Sequence, residues 1–110
     1  MKDKVIIEKI VGYINKLENY TDGTSFEAFS ENSVLVEACV FNLSQIGELA
    51  NKISPDSEEK YNAIPWRTMY GLRNKIVHDY EGVNLVLIWE IVSEDLPELK
   101  KKLERILQKM

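Results

Sequence analysis

The amino-acid sequence predicts an all-α fold, an up-and-down antiparallel bundle of four to five helices, and three observations carry that prediction. Apolar residues recur at helical rather than strand spacing. Only five glycines and three prolines interrupt the 110 residues, and there is no low-complexity run. The breaks divide the chain into long periodic segments with short connections, which makes consecutive helices antiparallel neighbours.

A first helix is expected over about Asp3 to Asn19, with Ile6, Ile10, Ile14 and Leu17 as its apolar stripe and Thr21, Asp22, Gly23 as the turn that follows. Thr24 and Glu27 have capping-box spacing, so one short turn carrying Phe26 and Phe29 should start there. A longer helix runs from about Asn32 or Ser33 to Ile53, burying Val36, Val40, Leu43, Ile46 and Leu49 or Ala50, and stops at Ser54 and Pro55. Gly47 within it, and Gly71 in the next helix, each cost about 1 kcal/mol relative to Ala, which implies close backbone packing at both. Pro65 suits the first position of that next helix, which continues to about Tyr80 with Gly82 as its stop. Asn84 can cap a last helix whose apolar rhythm runs from Leu85 to Ile106, with Pro97 marking a bend. Trp66 and Trp89 read as core residues rather than base-stacking platforms. Lys100, Lys101, Lys102, Arg105 and Lys109 suit the negative pole of the final helix.

At 110 residues, 45% hydrophobic and 29% charged, the chain has the make-up of a single domain over 1–110. Cys39 is its only cysteine, so an intrachain disulfide and a thiolate metal cage are excluded, and a reducing compartment, the cytoplasm, is expected. Glu8 interrupts the apolar run of Val5 to Ile7 too early for a secretory signal. The longest aliphatic and aromatic stretch elsewhere, Leu85 to Trp89, is far short of the roughly 20 residues of a membrane helix. A soluble protein without membrane partners follows as the expectation. The formal charge of −4 argues against wrapping double-stranded DNA. One stretch departs from that balance: from Lys60 through His78 lie Lys60, Arg67, Arg73 and Lys75 without a single Asp or Glu. This stretch could receive an anion, or it could be an ordinary solvated helix face.

Phosphate loops, dinucleotide fingerprints, zinc-protease motifs and nucleophile elbows are all missing, and one His with one Cys makes a metal site in one chain unexpected. What remains is the run Arg73, Asn74, Lys75, Ile76, Val77, His78, Asp79, Tyr80. On a helix Asn74 and His78 share one face and Arg73 and Tyr80 another, while Arg73 and His78 stand about 140° apart. These residue types suit phosphodiester chemistry. An imidazole can move the proton of a ribose 2′-hydroxyl, and a guanidinium can hold charge that builds on phosphorus. Lys75 and Arg67 could add contacts to the RNA. On spacing alone, the favoured reading is a C-terminal helix cap by His78, with Arg73 and Asp79 in surface ion pairs.

Arg73, His78 and Tyr80 at these intervals form the R-x4-H-x-Y motif, and with it the chain resembles the HepT-like toxins, a minimal branch of the HEPN superfamily. The resemblance extends through the segments YTDGTSFEAF (20–29), NLSQIGELA (42–50), IPWR (64–67), GLRNKIVHDY (71–80) and WEIVSEDLPEL (89–99). It implies a helical bundle that forms a homodimer, with a metal-independent ribonuclease centre built from Arg73 and His78 at the dimer cleft. It also implies a toxin role in a type VII-like toxin-antitoxin pair, whose antitoxin is an MntA-type nucleotidyltransferase that transfers AMP to Tyr80. No cofactor is implied. Relatives often carry a basic residue where this chain has Phe41, so no electrostatic role is expected there. Asn74 and Glu48 match the family pattern and are read as organisers of helix ends or interhelical hydrogen bonds. A reading from another class remains open, in which the chain is a non-catalytic helical partner of a nucleotidyltransferase or a nucleotide-binding module. A DNA-binding helix-turn-helix is disfavoured by the charge. The single imidazole supports the dimer independently, because cleavage works best with one group as base and a second as acid.

Overall fold

A computed structural model describes residues 2–78 and 84–110, and all of its regular structure is helical. Four long helices form an antiparallel bundle: α1 (Asp3–Thr21), α3 (Ser33–Ala50), α5 (Trp66–His78) and α7 (Leu96–Lys109). Three six-residue helices, α2 (Phe26–Glu31), α4 (Pro55–Lys60) and α6 (Leu85–Glu90), sit in the connections. α3 is the central element, packed against α1 on one side and α5 on the other, while α7 returns along α1. Each helix buries the stripe its spacing dictates. α1 contributes Ile6, Ile7, Ile10, Ile14 and Leu17, all fully buried, with Leu43 and Ile46 of α3 and Leu103 of α7 against them.

Local signals explain the ends. Gly23, at φ 71°, takes the left-handed conformation that closes the turn after α1, where a Cβ would be strained. α2 starts one residue later than the Thr24 capping box implies: the Ser25 hydroxyl accepts the Ala28 N–H at 3.1 Å, and the Thr24 N–H instead closes a turn onto the Thr21 carbonyl. Asn32 caps α3 through the Leu35 N–H. At its far end the helix tightens, with Lys52 N–H on the Leu49 carbonyl and Ile53 N–H on the Ala50 carbonyl, so Ile53 stays buried beyond the last α-helical residue.

Ser54 and Pro55 do more than stop α3. Ser54 accepts the Ser57 N–H and Pro55 occupies the first turn, so the same pair starts α4, a helix the sequence reading leaves out. Asp3 of α1 ties this start down. Its carboxylate accepts the Ser54 N–H and the hydroxyls of Ser54 and Ser57. Burial alone would raise the Asp3 pKa, but these hydrogen bonds outweigh it and hold the carboxyl below its ordinary value.

The last bend also has a physical cause. Pro97 lacks the N–H that would continue an α-helix, and the chain widens before it into a π turn over Ile91–Asp95, with Leu96 N–H bonded to the Ile91 carbonyl. Trp89, just before this turn, packs against Phe26 and Phe29 with ring centroids 6.5 and 5.0 Å away and lies half-buried against the core, whereas Trp66, 3% exposed, is part of it. Gly71 departs from expectation. A Cβ added there meets nothing within 4 Å, so no close backbone contact requires this glycine. Among the described residues no helix is long and apolar enough to cross a membrane.

Candidate active site

The motif helix α5 is fixed at its N-terminal half. Met69 N–H closes the first α-helical bond onto the Pro65 carbonyl, so Pro65 stands just before the first helical residue rather than at it. Trp66 is the anchor: its indole N–H donates to the Tyr61 carbonyl at 3.1 Å, and its ring, with Met69, is buried in the core. Ala50 and Ile53 line one hollow together with Trp66 and Tyr70, which brings the end of the α3 segment against the start of α5 and makes the two helices antiparallel.

Helical register then distributes the candidate residues, which occupy the second half of α5 from Arg73 to His78. Arg73 lies seven residues after Trp66, about 20° from it around the axis, on the side of α5 that carries the buried anchors Trp66 and Met69. Asn74 and His78 fall on another side, in line with Arg67 and Gly71 at intervals of three and four residues. That line is open along its described part. The Arg67 side chain is 94% exposed, and Gly71 has free space where a side chain would be. Lys75 shares a face with the exposed Thr68. The helix thus brings Asn74 and His78 onto one face and keeps Arg73 about 140° away from His78, with roughly 7.5 Å of rise between them.

Arg67 is already engaged. Its guanidinium Nε donates to Glu58 Oε1 at 3.3 Å, a pair across the connection between α4 and α5 that spacing does not reveal because a turn intervenes. Tyr80, the expected AMP acceptor, lies outside the described residues, as does Gly82, the expected helix stop. Phe41 is 59% exposed on α3, and Glu48 is half-buried on the same helix. What the helix fixes is register: Asn74 and His78 at positions in line with Arg67, and Arg73 at a position in line with Trp66.

The family model for ribonuclease HepT-like proteins matches residues 10–106, which reaches from within α1 to within α7 and includes the whole Arg73 to Tyr80 run. The chain belongs to the HepT-like ribonuclease family. A protein of Caldanaerobacter subterraneus subsp. tengcongensis named "Putative RNase" is 38% identical over 103 residues, covering 94% of this chain and 92% of its own. A Thermococcus cleftensis protein named "Probable ribonuclease HepT" is 35% identical over 103 residues, 94% of each chain. A Methanocaldococcus jannaschii protein, also named "Putative RNase", is 34% identical over 105 residues, 96% of this chain and 90% of its own. No solved structure matches the chain. In this HepT-like chain, therefore, the resemblance read from the R-x4-H-x-Y run and its flanking segments holds across nearly the whole length.

Proposed function

We propose that this chain is a metal-independent endoribonuclease and the toxin of a two-component system, acting in the cytoplasm as a single helical domain that pairs into a two-fold homodimer. The observation that supports this best is the family match over residues 10–106, inside which Arg73 and His78 keep the motif's spacing on one helix. In the reaction, the 2′-oxygen of a ribose attacks the adjacent phosphorus while the His78 imidazole takes its proton. The bond from phosphorus to the 5′-oxygen breaks, and the His78 of the second copy supplies the proton to that leaving oxygen. Arg73 holds the charge that builds on the phosphoryl oxygens. The products are a 2′,3′-cyclic phosphate and a 5′-hydroxyl, and DNA, without the 2′-hydroxyl, is not cut. Because Arg73 and His78 stand on different sides of one helix, a cleft lined by two copies supplies them together more readily than one chain does. Asn74 is read as a positioning residue, and Lys75 and Arg67 as RNA contacts, with Arg67 leaving Glu58 to make its contact.

Silencing follows the same residues. A nucleotidyltransferase antitoxin would direct the Tyr80 phenol oxygen onto the α-phosphorus of ATP, forming the tyrosyl-AMP bond and releasing pyrophosphate. The added phosphodiester places bulk and negative charge where the RNA phosphate must bind. Incubating the chain with RNA and EDTA should yield cleavage with cyclic-phosphate ends, and His78→Ala or Arg73→Ala should each lose roughly 100-fold or more in rate. Cleavage by His78→Ala at the wild-type rate would overturn the ribonuclease reading and leave the non-catalytic partner in its place.

A further inference from the structure

The charge on α7 is not explained by its helix dipole. Leu96–Lys109 carries five basic and two acidic residues in a chain of net charge −4, yet of the basic residues only Lys109 lies in the last turn, where a dipole acts. Two of the five are paired: Lys100 with Glu18 at 3.3 Å and Lys101 with Glu98 at 3.8 Å. Lys102, Arg105 and Lys109 are exposed and have no ion-pair partner among the described residues. Their spacing of three and four residues puts them within an arc of about 60° on one face, over roughly 10.5 Å of rise. Glu98, one turn before Lys102, is the acid on that face and is the one paired with Lys101, whereas Glu104 lies on another side.

The strip also has a place relative to the motif helix. Lys102 lines a groove of about 330 Å³ together with Thr68 and Leu72 of α5, so the strip begins beside the helix that carries Arg73 and His78, while Glu94, Asp95 and Glu98 line the same groove and direct a polyanion along the outer face of α7 rather than into it. The apolar face of α7, with Leu96, Leu99 and Leu103, is buried in the bundle, which leaves a cationic face without an apolar partner to insert into a lipid surface. A row of unpaired cations on a rigid helix, next to a phosphodiester-cutting helix, suits a polyanion bound by its backbone.

We propose that Lys102, Arg105 and Lys109 form an RNA-backbone site outside the cleavage centre, holding two or three phosphates of a single strand while another part of it lies on α5. This rests on the ribonuclease reading. Such a site raises affinity for long RNA and leaves the chemistry of a minimal substrate untouched.

The test uses the full chain, a 20-nucleotide single-stranded RNA and a dinucleotide, with the variant Lys102→Gln/Arg105→Gln/Lys109→Gln and the charge-keeping Lys102→Arg/Lys109→Arg. For the neutralised variant, the slope of log affinity against log salt should fall by about 2, since each phosphate contact on a single strand contributes about 0.7. Its KM for the long RNA should rise at least tenfold, with dinucleotide cleavage unchanged, and the arginine variant should behave as wild type. An unchanged salt slope in a chain that still binds and cuts RNA would overturn the site and leave the ribonuclease reading standing. A wild-type chain that neither binds nor cuts RNA would overturn both. Loss of binding to anionic phosphatidylserine vesicles, in place of RNA, would assign the strip to a membrane instead.

Discussion

Replacing Asp3 by Ala removes a carboxylate that joins the first turn of α1 to the first turn of α4, residues more than fifty apart in sequence. It accepts three hydrogen bonds, two from hydroxyls and one from a backbone N–H, and hydrogen bonds onto a charged group contribute about 1.5–3 kcal/mol each when well buried. The full sum does not apply, because the site is only half-buried and the freed serines can turn to water. Ser54 also keeps its own cap on Ser57. The expected loss is therefore about 1–3 kcal/mol at pH 7. Its pH dependence has a definite sign. The Asp3 pKa is lower in the folded chain than in the unfolded one, so its contribution is complete above the ordinary carboxyl pKa and disappears as pH falls through the lowered value. Urea unfolding of wild type and Asp3→Ala, followed by circular dichroism from pH 7 down to pH 2, reads the difference directly. A gap that stays constant over that range, or stays below about 0.5 kcal/mol at pH 7, would refute the argument.

Phe29 is fully buried against Trp89, and Phe29→Ala should destabilise the bundle by about 3–5 kcal/mol in urea unfolding. Gly71→Ala should raise Tm, gaining about 0.5–1 kcal/mol from helix propensity, because the new methyl meets nothing. Gly23→Ala should lose about 1 kcal/mol or more on denaturation, since its φ is 71°. Burial pushes the Cys39 thiol up to about 11, so at pH 8 a thiol reagent should label the unfolded chain and leave the native one unmodified over the same minutes.

The long helices were legible because burial follows a simple period: Ile6, Ile10, Ile14 and Leu17 are all in the core, and Asn84 caps α6 through the Leu87 N–H. Less legible were features where one residue type serves two purposes. Ser54 and Pro55 read as a stop and act as a start as well. Gly71 looked like a packing glycine and faces open space, which propensity alone cannot distinguish. The family signature around Arg73 and His78 was visible as a string, whereas the pairing of Arg67 with Glu58 depends on how α4 turns the chain back. The α7 strip was visible only as composition, since separating paired from unpaired lysines needs the positions of Glu18 and Glu98.

The π turn at Ile91–Asp95 has the character of an absorbed insertion. An i→i+5 turn contains one more residue than an i→i+4 turn, so the residues downstream keep nearly the angular phase they would have in a plain helix with one residue fewer. A single deletion between Ile91 and Asp95 would then leave Leu96, Leu99 and Leu103 facing inward and Lys102 facing out, whereas the same deletion within α7 would rotate everything after it by about 100°. The shortened helix would carry Pro97 in an uninterrupted α-helical stretch, at a cost of about 3 kcal/mol. The extra residue and the proline are therefore a matched pair: a relative that has lost one should have lost the other.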